Sequence, residues 1–556
     1  MNKLKLVGAI LFIIFLSKCA NQLPPPGGEV DRIPPEIVNV YPPNNTVNFN
    51  DDHIELEFSE YVDKRSVQEA VFVSPYIEGG MKYEWSGKSV DIIFKDSLKK
   101  NTTYTISVGT NVKDLHNANK MADAFVFAFS TGNEIDKGEI NGKVFANKID
   151  GVMIFAYRLD SSNVNPIKTK PDYITQAGLD GNYSLLGLTY DKYRVFAIKD
   201  KFKDLLYNIG DDWYGAPFED VTLTKNDTVF NGLNFKLTKE DTVEPQISKV
   251  IMTDANHLLI EMDEPIDSSK VSAKNFLIYD STSHNKIVPG YFYKAKGGPE
   301  KYFLVIDSTL ELNNDYFLIA DSITDKSNNI LVNQQMDFAV TDKKDTTAIK
   351  IIKIGSNYEG NLLDLDNPVI TVNFNDAVPR DRLESGLTMK AQNKNIPVKI
   401  EAIDDASFNI IPGIKLKSQR TYSVDFNLNV ITDVAGNKSD TTINYKFESV
   451  NKLNFTGASG KIIKPEDGLK HLVIQLISAE KNNLKYNGNI DNGKFNFSKV
   501  YPGKYLLWYF IDSDSNKIYS YGKVYPFRPS EKFGFYPDTL NLRARWPVGD
   551  LRLKLN

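Results

Sequence analysis

The strongest constraint on the fold is that the chain repeats itself with two different units, because internal periodicity decides an architecture before local propensity does. In the first unit an alternating strand ending at an acidic residue is followed by a tyrosine strand, an aspartate turn and a phenylalanine strand. The opening strands are Ile54-Glu55-Leu56-Glu57-Phe58-Ser59-Glu60, Leu259-Ile260-Glu261-Met262-Asp263-Glu264 and Ile370-Thr371-Val372-Asn373-Phe374-Asn375-Asp376. Their later halves hold Tyr104, Asp114 and Phe129, then Tyr316, Asp325 and Phe338, then Tyr422, Asp433 and Phe447. Apolar residues at every second position mark strands with one buried face. The second unit recurs at a constant offset of 312 residues. Gly181 meets Gly493, Tyr183 meets Phe495, Leu185 meets Phe497, Tyr193 meets Tyr505, Asp200 meets Asp512, Tyr207 meets Tyr519, Pro217 meets Pro529 and Glu219 meets Glu531. The paired glycines follow Asp180 and Asn492, the signature of a tight turn that needs positive φ.

A chain of 556 residues exceeds what one hydrophobic core supports, so several domains are expected. With 41% hydrophobic and 25% charged residues it reads as globular material that folds in water. A net charge of -5 gives no cationic surface for releasing counterions, which argues against a nucleic-acid partner. The single cysteine, Cys19, excludes a disulfide framework and any cysteine-based metal cluster.

Cys19 nonetheless carries the clearest local signal. Lys3 and Lys5 precede the apolar run Leu6 to Leu16, too short to cross a bilayer and the right length for the core of a secretory signal. The run ends in Leu16-Ser17-Lys18-Cys19, which resembles the bacterial lipoprotein box, with Lys18 where a small residue is usual. That resemblance implies cleavage before Cys19 and lipid on its sulfur, and several acyl chains at about 0.8 kcal/mol per buried methylene hold a protein on a membrane. Residues 20 to 35 (ANQLPPPGGEVDRIPP) read as a proline- and glycine-rich tether reaching on the order of 40 Å.

With Pro34-Pro35 and the Tyr41-Pro42-Pro43-Asn44 turn, the first repeat unit resembles the bacterial Ig-like domain of the S-layer (SbsA) type, a seven-stranded sandwich. The second, with its Asp-Gly-x-Tyr hairpin and the Pro502-Gly503-Lys504-Tyr505 strand entry, resembles the carboxypeptidase-regulatory, transthyretin-like sandwich. The expected fold class is therefore all-β, a tandem array of β-sandwiches. The expected layout is a signal peptide over 1–18, lipidated Cys19 and tether over 19–33, an Ig-like domain over 34–133, a transthyretin-like domain over 134–242, Ig-like domains over 243–344 and 345–450, and a transthyretin-like domain over 451–556. This combination resembles a type of envelope lipoprotein of Bacteroidota, which implies an outer-membrane location, on the cell surface or the periplasmic face.

Motifs for chemistry are missing. His53, His116, His257, His284 and His471 are scattered singly, and none begins an HExxH pattern. Gly87-Lys88-Ser89-Val90-Asp91 lacks the second glycine of a nucleophile elbow. Asp512-Ser513-Asp514-Ser515-Asn516 starts like a calcium loop but has Lys523 at the twelfth position, so it reads as a turn. The sequence thus predicts no enzyme, no cofactor and no metal. Tyr104, Tyr316 and Tyr422 read as tyrosine-corner or core residues, and Asp114, Asp325 and Asp433 as turn residues bonding nearby backbone N–H groups.

Two features exceed that reading. Tyr519 to Tyr536 is dense in aromatics, and Trp213 and Tyr214 stand in a Gly/Pro loop at the equivalent place in the earlier copy. Trp213, Tyr214, Tyr525, Phe527, Arg528, Phe533 and Phe535 are accordingly candidates for contact with a protein partner or a glycan, because Tyr, Phe and Arg make hot spots. The second feature is Asp, then Ser or Thr, then an aliphatic residue or Thr, at Ser97, Thr228, Thr242, Ser281, Ser308, Ser322, Thr346, Thr441 and Thr539. It resembles the O-glycan acceptor of exported Bacteroidota proteins and equally suits strand-entry turns. The functional expectation is a non-catalytic, lipid-anchored scaffold or docking subunit of an outer-membrane protein assembly. The alternatives are glycan capture for nutrition and an S-layer or adhesin-like surface role.

Overall fold

The computed structural model describes residues 31–555 apart from 78, 160–163, 464–470 and 481–483. Cys19, the signal segment and the tether up to residue 30 lie outside the described residues. The chain is all-β, a succession of two-sheet sandwiches made of short strands. Alternation accounts for them: in His53–Phe58 the side chains of Ile54, Leu56 and Phe58 are buried while Glu55 and Glu57 between them are half-buried. Among the described residues no helix is long and apolar enough to cross a membrane.

Contacts divide the chain into two compact units. The first comprises the described residues up to Tyr207 together with Trp213–Leu237 and Tyr521–Ser530. It opens with a sheet ordered Ile37–Tyr41, His53–Phe58, Ser89–Phe94 and Met81–Ser86, which faces Val71–Ser74, Thr103–Val108 and Phe125–Ser130. Between them lies a core that includes Leu56, Val67, Ile106 and Phe129. In the following sandwich, Lys192–Lys199 is central, with Met153–Arg158 on one side and Trp213–Gly215 and Val221–Thr222 on the other. The facing sheet sets Gly138–Phe145 between antiparallel Asn182–Leu188 and parallel Val229–Asn231.

The second unit comprises Asn208–Asp212, Thr238–Ser520 and Glu531–Asn556. Its first sandwich pairs Ile247–Met252, His257–Met262, Lys301–Val305 and Tyr291–Lys294 opposite Lys286–Ile287, Phe276–Asp280, Tyr316–Ala320 and Gln334–Phe338. Next, Ile351–Ser356, Ile370–Phe374, Ser407–Pro412 and Val398–Asp404 face Leu362–Leu363, Thr442–Ser449, Thr421–Asn427, Leu387–Ala391 and Lys394–Ile396. In the last sandwich Gly503–Ile511 is central between Leu472–Ser478 and the pair Phe533–Phe535 and Leu540–Leu542, the plan of the second sandwich again.

The repeats are held by the same bonds in each copy. The hydroxyls of Tyr104, Tyr316 and Tyr422 accept from the backbone N–H five residues upstream, at Lys99, Glu311 and Lys417, at 2.8, 3.0 and 2.9 Å. That is the tyrosine corner, which ties a strand to the loop that precedes it. In the other family Tyr193 and Tyr505 donate to the carbonyls four residues upstream, Thr189 at 3.0 Å and Tyr501 at 2.8 Å. Asp200 and Asp512 each cage a turn, accepting from Lys203 N and Leu205 N in one copy and from Asn516 N and Lys517 N in the other. Gly181 has φ +86°, and a Cβ there would sit 2.4 Å from the Val144 carbonyl oxygen, so the turn requires glycine.

Candidate functional site

Thr103–Val108 (TYTISV) is buried on both faces, although alternation alone would leave Thr103, Thr105 and Ser107 facing water. These polar side chains join the first sandwich to the second. Ser107 Oγ donates to the Ile174 carbonyl at 3.1 Å, Ser74 Oγ accepts from Ile174 N at 2.9 Å, and Thr105 Oγ1 donates to the Leu186 carbonyl at 2.8 Å. Gln176 Nε2 reaches Thr110 Oγ1 at 3.3 Å, while a Cβ on Gly109 would lie 1.7 Å from Gln176 Oε1, so this approach depends on glycine. Buried hydrogen bonds of this kind fix one relative placement. Beside the junction opens a cleft of about 640 Å³. Phe72, Met81, Met153 and Ile174 line it, and Lys199 and Asp200 also border it. Its rim is charged, with Lys120 paired to Asp150 and Lys203 to Glu69. Apolar floor and ionic rim suit an amphipathic guest rather than acid–base chemistry.

The residues singled out in the sequence end in different places. Tyr214 is 4% exposed, and its hydroxyl donates to the Gly522 carbonyl at 2.9 Å. Phe533 is 3% exposed, and half-buried Phe535 stacks on Trp508 at 5.9 Å between ring centroids. Phe527 lies under the Arg194 guanidinium, 3.7 Å from its carbon, with the ring edge-on to Phe196. Arg194 itself donates two hydrogen bonds to the Asp220 carboxylate, at 2.8 Å each. The expectation of a free aromatic surface is therefore corrected for Tyr214, Phe527, Phe533 and Phe535: apolar area draws these rings into packing within the chain. Trp213, Tyr525 and Arg528 do stay exposed. The nine candidate Ser/Thr acceptors all lie outside strands. Thr228 and Ser281 are half-buried, and Ser97, Thr242, Ser308, Ser322, Thr346, Thr441 and Thr539 are exposed.

One pattern was not read from the sequence. Each copy of the first repeat brings an aspartate upstream of its opening strand, the acidic residue closing the next strand and the turn aspartate into one neighbourhood. These are Asp31, Glu60 and Asp114, then Asp241, Glu264 and Asp325, each offering ligand atoms within 4.8 Å of one another. Asn119 Nδ2 and Asn329 Nδ2 donate to the Asp31 and Asp241 carbonyls at 3.1 and 3.2 Å, tying each connector to its turn. Burial first, and then the charges of Asp241, Asp325 and Asp263, push the Glu264 carboxyl up to about 7. An acid whose folded-state pKa is raised gives stability that is lost as pH rises from its unfolded value through the folded one. Glu264→Gln is therefore expected to melt higher than the parent at pH 8, with the gap closing by pH 4; thermal denaturation in chelator at the two pH values checks this.

The third copy holds Asp345, Asp376 and Asp433, and here His257 of the preceding sandwich enters. Sequence reading left His257 as a lone histidine. Its partner Asp376 is 119 residues away, and the only local signal is that an aspartate stands where the other copies have Glu60 and Glu264.

Residues 31–131 and 345–456 match the family described as bacterial Ig-like domain. No curated protein matches the chain. Among solved structures, domains 1–6 of the surface layer protein SbsC are 11% identical with a TM-score of 0.16, covering 92% of this chain and 67% of that one. The N-terminal part of the bacterial S-layer protein SbsC is 15% identical with a TM-score of 0.17, covering 38% of this chain and 45% of that one. BcpA, the major pilin subunit of Bacillus cereus, is 10% identical with a TM-score of 0.14, covering 76% of this chain and 99% of that one. The two stretches similar to bacterial Ig-like domains carry the first and third copies of the first repeat unit.

Proposed function

We propose that this is a non-catalytic protein of the cell envelope, held at a membrane by lipid on Cys19, whose tandem sandwiches space and dock the parts of an outer-membrane assembly. The observation that carries this reading is how the polar side chains at the junction of the first two sandwiches are used. Ser74, Thr105, Ser107 and Gln176 fix sandwich to sandwich instead of converging on a substrate. The stretches similar to bacterial Ig-like domains support the same role, since each is a sandwich closed around its own core. The test begins with the anchor. Cys19→Ser is expected to move the protein from the membrane fraction to the soluble fraction, read by fractionation and immunoblot, and retention on the membrane would defeat the lipid-anchor reading. Cross-linking of the native envelope is then expected to recover an outer-membrane partner. Recovery of this chain alone would favour S-layer-like self-assembly. Polysaccharide binding that is lost in Trp213→Ala would favour glycan capture, a reading supported by the exposed indole of Trp213.

A further inference from the structure

The contact between the sandwiches over 247–338 and 351–449 contains a cluster that differs from its counterparts in the other copies. His257 opens the strand His257–Met262 and is 4% exposed. Its Nδ1 lies 2.8 Å from Asp254 Oδ1 and its Nε2 lies 3.0 Å from Asp376 Oδ1. One ligand atom from each of His257, Asp345 and Asp376 falls within 4.8 Å of the others. Alongside stands Asp433, fully buried, whose Oδ1 accepts from Asn437 N at 2.7 Å while its Oδ2 has no hydrogen-bond partner. An orphaned buried carboxylate oxygen is costly and calls for an explanation. Asp433 is within electrostatic reach of the same cluster: after burial, the charges of Asp376 and Asp345 help push its carboxyl up to about 6.

We propose that His257, Asp345, Asp376 and Asp433 form a binding site for a divalent transition-metal ion, with zinc as its occupant. An imidazole nitrogen with carboxylate oxygens is a zinc donor set, and the Asp433 oxygen supplies the fourth ligand of a tetrahedron. Tetrahedral zinc ligands stand about 3.4 Å apart, and the ligand atoms of His257, Asp345 and Asp376 already lie within 4.8 Å of one another. The surrounding bonds are those a metal-bound histidine needs. Asp254 holds the Nδ1 proton, leaving Nε2 as the ligating nitrogen, and binding sends the Nε2 proton to solvent. Tyr293 donates its hydroxyl to Asp376 Oδ1 at 3.1 Å, and Asn437 Nδ2 donates to Asp345 Oδ2 at 2.5 Å, so the ligands are themselves oriented. Asp345 also borders an open cleft of about 570 Å³, which gives an ion a way in from solvent. The trios at Asp31 and Asp241 lack these features. They contain no nitrogen, and both oxygens of Asp114 and of Asp325 accept hydrogen bonds from their own turns.

The test uses the full mature chain stripped with EDTA and titrated with zinc chloride, followed by calorimetry and thermal melting, with cobalt(II) absorption as a report on the donor set. One ion per chain is expected to bind at this site and to raise the melting temperature by at least ~3 °C at saturation. Asp433→Asn keeps the side chain's shape and relieves repulsion, so it is expected to fold as well as the parent while weakening zinc binding at least ~10-fold. Asp325→Asn, the equivalent change one repeat earlier, is expected to leave the affinity unchanged. The proposal is overturned by a melting temperature indifferent to zinc, by an increment retained in both Asp433→Asn and His257→Gln, or by calcium acting as strongly as zinc, since calcium does not select imidazole.

Discussion

Val524→Asp is expected to lower the stability of the first compact unit by about 3–5 kcal/mol, against about 1–2 kcal/mol for Val524→Ala. Val524 is 1% exposed and sits in a cluster with Phe155, Phe196, Ile198, Tyr207 and Tyr214, on the face of the Lys192–Lys199 sheet turned away from its own sandwich core. A carboxylate there would have neither water nor a cation within the apolar cluster, so the segment Tyr521–Ser530 must leave its seat for the charge to be hydrated. Leaving also strips the Phe527 ring from Arg194 and breaks the bond from Ser530 N to the Pro217 carbonyl. Urea denaturation gives the magnitude, and limited chymotrypsin digestion shows the cause: cleavage after Tyr521 and Phe527 should appear well below the urea concentration that unfolds the chain. Unchanged denaturation and no new cleavage would mean that this seat contributes nothing.

Asp376→Ala, measured in chelator, is expected to cost about 3–5 kcal/mol near pH 6, because it leaves a buried imidazolium and the Tyr293 hydroxyl without their shared acceptor. Burial alone would lower the pKa of His257, but its hydrogen bonds to Asp254 and Asp376 raise it to about 10. A basic group with a raised folded-state pKa stabilises fully below its unfolded value of about 6.5. That contribution then fades as pH climbs toward 10. The difference between parent and variant should therefore be largest at pH 6 and shrink by pH 9.5 in urea denaturation. A pH-independent difference would mean that the imidazole is neutral when the protein is folded.

The architecture was legible because repetition and alternation are local. Tyr104, Tyr316 and Tyr422 announced their corners, and Asp114 and Asp325 their turns, from spacing within a single loop. Asp433 broke ranks, with one oxygen in its turn and the other unsatisfied. What the sequence concealed depends on contacts made far along the chain. Composition marks Tyr214 and Phe527 as sticky but cannot say that Gly522 and Arg194 already occupy them. Alternation alone would turn Thr105 and Ser107 to water, whereas the next sandwich covers them. His257 carried no motif because its acceptors sit at sequence separations of 3 and 119.

In two sandwiches the first strand lies beside late strands and runs parallel to them, Gly138–Phe145 with Val229–Asn231 and Phe235–Lys236, and Thr456–Ile463 with Val548–Lys554. Pulling such a sandwich from its two ends draws those strands past each other along their own axes. Their interstrand bonds then bear the load together, in shear, whereas an antiparallel terminal pair would part like a zipper, one bond at a time. A sandwich closed in this way stays intact under tension until a threshold force is reached and then ruptures in a single step.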